Sequence, residues 1–300
     1  MRVMLPLLCL WGCATGGDPS VGGTALPNPG YAPYTVYAEG DAGLTPVLED
    51  RPGSEPMAYV AEGRLTLIFS ECPTNGPCRI MTTTSADGIT FTAPELLAER
   101  EAGLTDPYIE RIDGRRVLWA VSDGGSTLVQ AELQAGTVGP FSVTLDTGPF
   151  ASPSVVNGPA GRLLFFVRAG QLFRARAEGE GWTTPEPVIG PCATEACWPR
   201  AGVADVEVRG STTSTGRRHY RATILDAEDG APQVGFAVSA DGRDWSFVTF
   251  NPTVDLGRGA FDGVSNLRFD DDYLLYFTRG RAMPRIGLAI NSAGRPSVEF

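Results

Sequence analysis

Carboxylates are the reactive side chains that this 300-residue sequence offers in number. It contains 35 Asp and Glu residues, 24 basic residues that are all arginine, and a single histidine, His219. Without lysine, Schiff-base chemistry and a P-loop are both excluded. A zinc site or a Ser/His/Asp triad would have to be built around His219, which we interpret as a structural or surface residue. These residue types therefore exclude much chemistry without identifying which chemistry the protein performs.

Several of these acids occupy the same place in a repeated unit. Each unit has an acidic or Ser-Pro start, an alternating strand, a turn, an apolar strand, a third strand, and a turn followed by an aromatic residue. The pattern occurs five times, at intervals of about 45 to 60 residues. The five starts contain Glu55, Asp106, Ser152, Asp205 and Asp262.

The repeat is clearest in a turn heptad. Ser85 to Phe91 reads SADGITF, and Ser239 to Trp245 reads SADGRDW. The Asp can accept a backbone N–H from further along the turn, and the Gly can adopt the positive φ that closes a hairpin. One Asp-Gly turn could occur in any hairpin, but two copies that share Ser, Ala, Asp, Gly and a final aromatic indicate a structural repeat. We therefore predict that Asp87 and Asp241 are turn residues far from any active site.

These units predict an all-β protein. The 37 glycines and 24 prolines fit many short strands joined by tight turns, and units of four strands at this spacing match propeller blades. The predicted fold is a five-bladed β-propeller of four-stranded antiparallel blades, in which a strand from Tyr34 to Val47 closes the ring against the last blade. A β-sandwich is the main alternative, but it would not explain why whole units recur.

The amino terminus resembles an export signal. Arg2 is followed by an apolar run, and Leu10-Trp11-Gly12-Cys13 resembles the box that directs lipid modification of a cysteine in bacterial lipoproteins. We expect residues 1–12 to be a signal peptide, residues 13–33 to be the lipidated Cys13 and a flexible tether, and residues 34–300 to be one propeller domain.

The lipid would anchor the protein to a membrane of the bacterial cell envelope. Ala14, directly after the cysteine, favours the outer membrane by resemblance to enterobacterial sorting. The alternative is an ordinary signal peptide in which Cys9 and Cys13 are incidental.

The other four cysteines form two close pairs, Cys72 with Cys78 and Cys192 with Cys197. In an exported protein they predict two small disulfides that hold loops. A zinc site made of all four thiolates is the alternative, although both spacings are poor for zinc.

The repeats, the Asp106-Pro107 start and the Asp-Gly turns resemble the five-bladed propellers of the glycoside hydrolase superfamily that includes arabinanases, xylosidases and fructosidases. The turn heptads are also similar to the Asp-box of sialidases, with a shorter Asp-Gly spacing. The resemblance covers residues 34–300 and implies a carbohydrate partner. It also implies that carboxylates at the starts of the inner strands carry the chemistry, because glycoside hydrolysis needs one protonated and one ionised carboxyl group.

On this resemblance, the catalytic candidates are Asp106, Glu55, Asp205 and Asp262. Asp106 would be a stabiliser or a modulator of the acid's pKa, and Glu55 would fall where the family places its base or nucleophile, normally an Asp. The third unit departs from the family because it begins with Ser152-Pro153, where a general-acid Glu is expected. Two other acids, Glu71 and Glu207, are available, but the sequence places neither at the axis.

Trp198 and Arg200 are the predicted carbohydrate-binding residues, with Trp198 as an exposed platform for a sugar ring. Trp182 and Trp245 follow turns and are predicted to pack between blades. No cofactor or metal is predicted; Asp270-Asp271-Asp272 would suggest calcium, but three acids in a hairpin turn are usually only solvated. The net charge of -11 argues against nucleic acid as a partner, and we expect a monomer.

Three functions remain open at the level of sequence. The first is a surface-anchored glycosidase that uses carboxylates in the central funnel. The second is a non-catalytic propeller that binds glycan or protein after losing the general acid, and the third is an envelope scaffold. Convergent carboxylates at the axis would favour the enzyme, and a funnel without a carboxyl pair would favour the binding protein.

Overall fold

The computed structural model describes residues 35–37, 52–158, 160–192, 198–212, 216–227, 232–247, 254–256, 261–280 and 284–291. The predicted signal peptide, the tether, Cys13 and Cys197 lie outside these ranges. The described residues form five antiparallel sheets and one short 3-10 helix, Asp123–Gly125. Within the same ranges, no helix has the length and apolar character needed to cross a membrane.

The strands follow one another from the axis outward in each blade, with β1 (Thr35–Tyr37) ahead of the first blade. Blade 1 contains β2 (Ser54–Ala61), β3 (Arg64–Glu71), β4 (Arg79–Ser85) and β5 (Glu95–Glu99). Blade 2 contains β6 (Thr105–Ile112), β7 (Arg115–Ser122), β8 (Thr127–Gln134), β9 (Thr137–Val138) and β10 (Ser142–Leu145).

The remaining three blades repeat this arrangement. Blade 3 contains β11 (Ala151–Gly158), β12 (Gly161–Arg168), β13 (Gln171–Glu178), β14 (Gly181–Trp182) and β15 (Glu186–Ile189). Blade 4 contains β16 (Val203–Thr212), β17 (Arg218–Asp226), β18 (Gln233–Ser239), β19 (Ser246–Phe247) and β20 (Val254–Asp255). Blade 5 contains β21 (Phe261–Phe269), β22 (Asp272–Arg279) and β23 (Arg285–Asn291).

The five blades form a closed ring, as predicted. Each innermost strand (β2, β6, β11, β16 and β21) contacts the innermost strands of both neighbouring blades. The fourth strand of blade 5 is β1, which pairs with β23 through Thr35–Ile290, Val36–Ala289 and Tyr37–Leu288. A segment from near the start of the chain therefore completes the last blade, which confirms the predicted closure.

The core lies between the blades, because most middle strands are buried on both faces. In β3, every residue from Leu65 to Glu71 is buried, and in β12 every residue from Leu163 to Val167 is buried. Strands covered on both faces form continuous apolar runs instead of alternating ones. This explains the continuous apolar runs in β3 and β12.

The turn heptads join neighbouring blades. Asp87 Oδ1 accepts hydrogen bonds from the N–H groups of Ile89 at 2.9 Å and Thr90 at 2.7 Å, which confirms the predicted role of this side chain within the turn. Gly88 has a φ of +75°, and its carbonyl accepts a hydrogen bond from Tyr276 Oη of blade 5 at 2.6 Å. The turn thus closes its own hairpin and holds the adjacent blade.

The second heptad repeats this contact on blade 3. Asp241 Oδ1 accepts hydrogen bonds from Arg243 N–H at 2.8 Å and Asp244 N–H at 3.0 Å, and the ring of Trp245 lies edge-on to Phe165, with centroids 5.8 Å apart. The prediction that Trp245 packs between blades is confirmed. The similarity of the heptads to sialidase Asp-boxes stays a prediction.

Two cysteines of the predicted pairs are bonded to each other, Cys72 to Cys78, with an S–S distance of 2.04 Å. The disulfide closes the loop between β3 and β4. Cys192 is also disulfide-bonded, and its predicted partner, Cys197, lies outside the described residues.

Candidate functional site

The starts of the inner strands share a bulged backbone. Pairing with the second strand of the blade shifts register at this point in all five blades, as it does at β-bulges, which re-aim side chains. Glu55, Asp106 and Ser152 have φ angles of 53°, 49° and 51°, and each precedes a proline. Three non-glycine residues held in this unfavourable region at equivalent positions mark the strand starts as a candidate site.

Blade 5 uses glycine at this position. Gly263 has a φ of 65°, and a Cβ atom there would lie 2.7 Å from Glu55 Cα and 2.9 Å from Pro56 Cδ. A side chain would therefore push blade 5 away from blade 1, and glycine lets the two blades meet at the axis.

The first carboxylate of the site, Glu55, links three blades. Its Oε2 atom accepts hydrogen bonds from Ser70 Oγ at 2.6 Å and from the N–H of Asp106 at 2.8 Å. Its own N–H donates to Thr278 Oγ1 of blade 5 at 2.9 Å. Blade 1 is thus held to blades 2 and 5 through one residue.

The chain of hydrogen bonds continues through the third, fourth and fifth blades. Asp106 Oδ1 accepts the N–H of Ser152 at 2.8 Å, and Ser152 Oγ donates to Asp205 Oδ1. The second oxygen of Asp205 accepts the N–H of Val264. Ser152, where the family resemblance expects a general acid, therefore joins two carboxylates through its N–H and its hydroxyl group.

Asp262 completes the cluster from the rim. It is exposed, yet its negative charge contributes to raising the pKa values of Glu55, Asp106 and Asp205. All four predicted carboxylates therefore converge at one end of the propeller axis.

Burial gives these carboxyl groups different proton affinities. It raises the pKa of Asp106 to about 6, although hydrogen bonds from Ser152 and Thr105 oppose this shift. Burial, followed by the charge of Asp262, raises the pKa of Asp205 to about 7. Burial, followed by the charge of Asp106, raises the pKa of Glu55 well above its usual value. The pKa values of all three buried carboxyl groups are therefore shifted toward neutral pH, and that of Asp205 lies above that of Asp106.

The space at the cluster is small. The pocket bounded by Glu55, Asp106, Ser152, Asp205 and Gly263 has a volume of about 30 Å³. Ligand pockets commonly span about 300–1,000 Å³, and a water molecule in the liquid occupies about 30 Å³. Water or a single protruding group of a sugar fits among the carboxyl groups, but a whole sugar ring does not.

A second polar layer fills the axis below the carboxyl cluster. Glu207 accepts hydrogen bonds from Ser265 Oγ at 2.7 Å and from the N–H of Asn266 at 2.8 Å. The guanidinium of Arg209 lies 2.5 Å from Glu207 Oε1 and donates to the carbonyl of Ala58 at 2.5 Å. These contacts join blades 1, 4 and 5, so Glu207 serves the axial packing and its carboxylate is occupied by three donors.

Of the two predicted binding residues, Trp198 is buried instead of exposed. Trp198 is only 8% exposed, and its ring lies edge-on to Phe247 at 6.0 Å, so the prediction of an exposed platform is wrong. The adjoining apolar cluster covers the indole. Arg200 is exposed, and its N–H donates to Asp226 Oδ2 at 2.9 Å. Nothing in these contacts tests a role for either residue in sugar binding.

The other candidate groups lie away from the axial cluster. Glu71 forms an ion pair with Arg79 at 2.5 Å. Asp271, in the hairpin between β21 and β22, lies 3.9 Å from Arg268. Across the ranges that the structure describes, no group of three or more His, Cys, Asp or Glu residues could hold a metal ion. His219 pairs with Ser211 in blade 4, and burial lowers its pKa.

Comparison with known proteins gives matches in structure but not in sequence. No family model and no curated protein sequence matches this chain. One similar structure is the α-L-arabinofuranosidase of Podospora anserina, solved in complex with cellotriose. The match covers 89% of this chain and 99% of the arabinofuranosidase chain, at 13% identity and a TM-score of 0.63. The catalytic domain of the GH62 α-L-arabinofuranosidase of Coprinopsis cinerea matches over 88% and 98% of the two chains, at 11% identity and a TM-score of 0.63.

A third similar structure belongs to the GH130 family of mannoside phosphorylases, which contains glycoside hydrolases that target β-1,2 mannosidic linkages in Candida mannan. It covers 93% of this chain and 95% of its own at 15% identity, with a TM-score of 0.56. The likeness is one of fold. The predicted resemblance to propellers of glycoside hydrolases is thus confirmed for the architecture.

Sequence reasoning found the four carboxylates but missed the hydroxyl contacts that hold them. Ser70 and Ser152 donate to Glu55 and Asp205, and Thr278 Oγ1 accepts the N–H of Glu55. Ser70 and Thr278 each stand near the end of the second strand of a blade, next to the bulge of an inner strand. A polar residue closing an otherwise apolar strand is the signal that could have pointed to them.

Proposed function

We propose that this protein is a carbohydrate-active propeller that hydrolyses glycosidic bonds of an oligo- or polysaccharide at the axial carboxyl cluster. The observation that supports this proposal most directly is the convergence of three buried carboxyl groups, Glu55, Asp106 and Asp205, in one pocket, with raised pKa values and with Asp262 at the rim. Such an arrangement is typical of acid and base pairs, because one group must carry a proton while another is ionised.

In this proposal, Asp205 is the proton donor, because its pKa of about 7 keeps a proton available at neutral pH. Asp262, exposed at the rim, is the ionised carboxylate that activates water. Asp106 modulates the pKa of Asp205 through its charge. Glu55 fits the base role poorly, because burial and the charge of Asp106 raise its pKa and so disfavour the ionised form that a base requires.

The test is release of reducing sugar from arabinose-, xylose-, fructose- and mannose-containing polysaccharides. Asp205→Asn and Asp106→Asn should each lower the rate by at least about 100-fold, the usual contribution of a general acid or base. Asp270→Asn, in a hairpin turn, is the matched control and should keep the wild-type rate. Unchanged turnover in both axial variants, or no hydrolysis of any substrate by the wild type, would rule out the assignment.

A second candidate function is carbohydrate binding without hydrolysis. Two observations favour it: the pocket of about 30 Å³, and the serine at position 152, which leaves the start of the third inner strand without a carboxyl group. A glycan array separates the two candidates. Retention of a glycan that the wild-type protein never cleaves would identify the binding protein and exclude the enzyme.

We also propose that the protein is a lipoprotein, anchored through Cys13 to the bacterial envelope, at the outer membrane. The sequence around Cys13 and the polar segment that follows it support this proposal. Membrane fractionation of a Cys13→Ser variant tests it. Function at the cell surface would place the axial cluster within reach of extracellular polysaccharide.

A further inference from the structure

The hydrogen bonds of Asp205 restrict where its proton can sit. Asp205 is only 6% exposed, and both of its carboxyl oxygens accept hydrogen bonds, Oδ1 from Ser152 Oγ and Oδ2 from the N–H of Val264. An N–H group can only donate, so Oδ2 remains an acceptor whether the carboxyl group is ionised or neutral. In the neutral form, the proton therefore sits on Oδ1, where it points at Ser152.

The hydroxyl group of Ser152 can change direction with this proton. A hydroxyl carries one O–H donor and two acceptor lone pairs, and its hydrogen rotates to suit its partners. When Asp205 is ionised, Ser152 Oγ donates to it. When Asp205 is neutral, the same oxygen accepts from Oδ1, and the hydrogen of Ser152 becomes free to donate elsewhere.

Ser152 is the more accessible member of this pair. It is partly exposed, whereas Asp205 is buried, and both residues line the axial pocket of about 30 Å³. The N–H of Ser152 donates to Asp106 Oδ1 at 2.8 Å, which holds the residue at the start of the strand. A substrate oxygen that enters the pocket therefore reaches the hydroxyl of Ser152 more readily than the carboxyl group of Asp205.

We propose that Ser152 is a catalytic residue that relays the proton of Asp205 to the glycosidic oxygen. This inference rests on the proposed hydrolysis and adds the group that touches the leaving oxygen. The relay lets a carboxyl group act as an acid although both of its oxygens are occupied. It also gives a catalytic role to the serine that begins the third inner strand.

The step balances with water as the second reactant. Ser152 Oγ gives its hydrogen to the glycosidic oxygen and takes the proton of Asp205 Oδ1, while the C–O bond breaks with its electron pair going to the leaving oxygen. A water molecule forms the new bond to the anomeric carbon and gives its proton to Asp262. Asp205 ends ionised and Asp262 ends protonated, and exchange of one proton through solvent water restores both groups.

The test compares leaving groups that differ in their need for a proton. The probes are the methyl and para-nitrophenyl glycosides of arabinose, xylose and mannose, because an alkoxide must be protonated to leave whereas a nitrophenolate leaves without a proton. Ser152→Ala should lower hydrolysis of the methyl glycoside by at least about 100-fold and change that of the para-nitrophenyl glycoside far less. Asp205→Asn should give the same split, because it removes the source of the same proton. Ser142→Ala, at the exposed start of β10, is the matched control and should keep both wild-type rates.

Two outcomes would overturn the relay alone. The first is an equal loss on both glycosides in Ser152→Ala, which would mean that Ser152 only holds the site together. The second is wild-type rates in Ser152→Ala while Asp205→Asn loses the methyl glycoside, because Asp205 would then donate directly.

Wild-type rates in Asp205→Asn would instead overturn the proposed hydrolysis at this cluster, and the relay with it. Circular dichroism checks the folding of each variant. Ser152→Gly removes the same hydroxyl group where the alanine variant does not fold, because glycine adopts the φ of 51° at this position without strain.

Discussion

Asp205 contributes both to the packing of the blades at the axis and to the proposed catalysis. Its two oxygens accept from Ser152 Oγ and from the N–H of Val264, so it joins blade 4 to blades 3 and 5. Burial, more than its neighbours, raises its pKa. The same feature that would supply a proton for catalysis also makes the folded protein sensitive to the ionisation of this group.

Because of Asp205, the free energy of unfolding decreases as pH rises, whereas in ordinary acid denaturation it decreases as pH falls. A carboxyl group whose pKa is raised by folding contributes stability below its unfolded pKa of about 3.9, and this contribution is lost as pH rises through the folded value. For Asp205 the interval runs from 3.8 to about 7. Those three or so pH units correspond to a change on the order of 4 kcal/mol in the free energy of unfolding.

We therefore expect the melting temperature of the wild-type protein to fall between about pH 4 and about pH 7. Asp205→Asn removes one titrating group and should make this fall shallower, with the remainder coming from Asp106 and Glu55, whereas Asp270→Asn should retain the full fall. Thermal unfolding followed by circular dichroism across this range makes the measurement. Parallel curves for the wild type and Asp205→Asn would show that Asp205 does not titrate in this interval.

The pKa values of the turn aspartates, Asp87 and Asp241, are lowered instead of raised. Burial is the largest single effect and raises the pKa of Asp87, but the hydrogen bonds from the N–H groups of Thr90 and Ile89 and from Ser85 together outweigh it and lower this pKa to about 2. Its contribution is present above about pH 4 and is lost as pH falls through its folded pKa. Stability should accordingly be greatest in mildly acid solution, between the two effects.

At the scale of secondary structure, the turn heptads act as contacts between blades. A Cβ atom on Gly88 would lie 2.4 Å from Leu274 Cδ1 of blade 5, and one on Gly242 would lie 2.6 Å from Leu163 Cδ1 of blade 3. Both glycines have positive φ angles. The glycine thus serves the turn conformation and the close approach of the neighbouring blade at the same position.

A pair of glycine variants separates these two requirements. Gly242 and Gly114 have φ angles of +77° and +83°, but a Cβ at Gly114 would meet nothing within 4 Å. Gly114→Ala should cost only the conformational energy of about 1–2 kcal/mol. Gly242→Ala should cost a further 1–3 kcal/mol or so, because it also overpacks the blade interface. Urea denaturation measures both, and equal losses would mean that blade 3 yields to the added methyl group without penalty.

The strands and turns could be predicted from sequence because their signals are local. The alternation of β16, the apolar run of β12 and the two heptads each lie within a dozen residues. The contacts that shape the site join residues far apart, such as Ser152 with Asp205 and Arg209 with Ala58. No periodic pattern encodes which side chains meet when two blades pack, so the filled axis was not predicted.

Trp198 illustrates the same limit for a single side chain. A tryptophan between a cysteine and a proline in a loop resembles an exposed residue, and only the position of Phe247 in the outer strand of blade 4 shows that it is covered. The carboxylates were found because all of them stand at strand starts, which the repeat frame aligns. Their distinct pKa values depend on burial, which no alignment of repeats provides.

For the whole molecule, the proposed lipid anchor and the propeller make a joint prediction. The wild-type protein should fractionate with membranes and be released by detergent, because two or more acyl chains bind bilayers stably. Cys13→Ser should move it to the soluble fraction with the melting temperature of the propeller unchanged. Cys9→Ser is the matched control, and its release into the soluble fraction would contradict the assignment of Cys13.

The pairing of β1 with β23 also determines when blade 5 can form during folding. A ribosome makes β1 among the first segments of this chain and β23 among the last, so the fifth blade cannot assemble until almost the whole polypeptide exists. Contacts between such distant segments form late and slowly. A product that stops before β23 keeps open sheet edges, which favour aggregation. Ring closure therefore requires a chain that extends through β23.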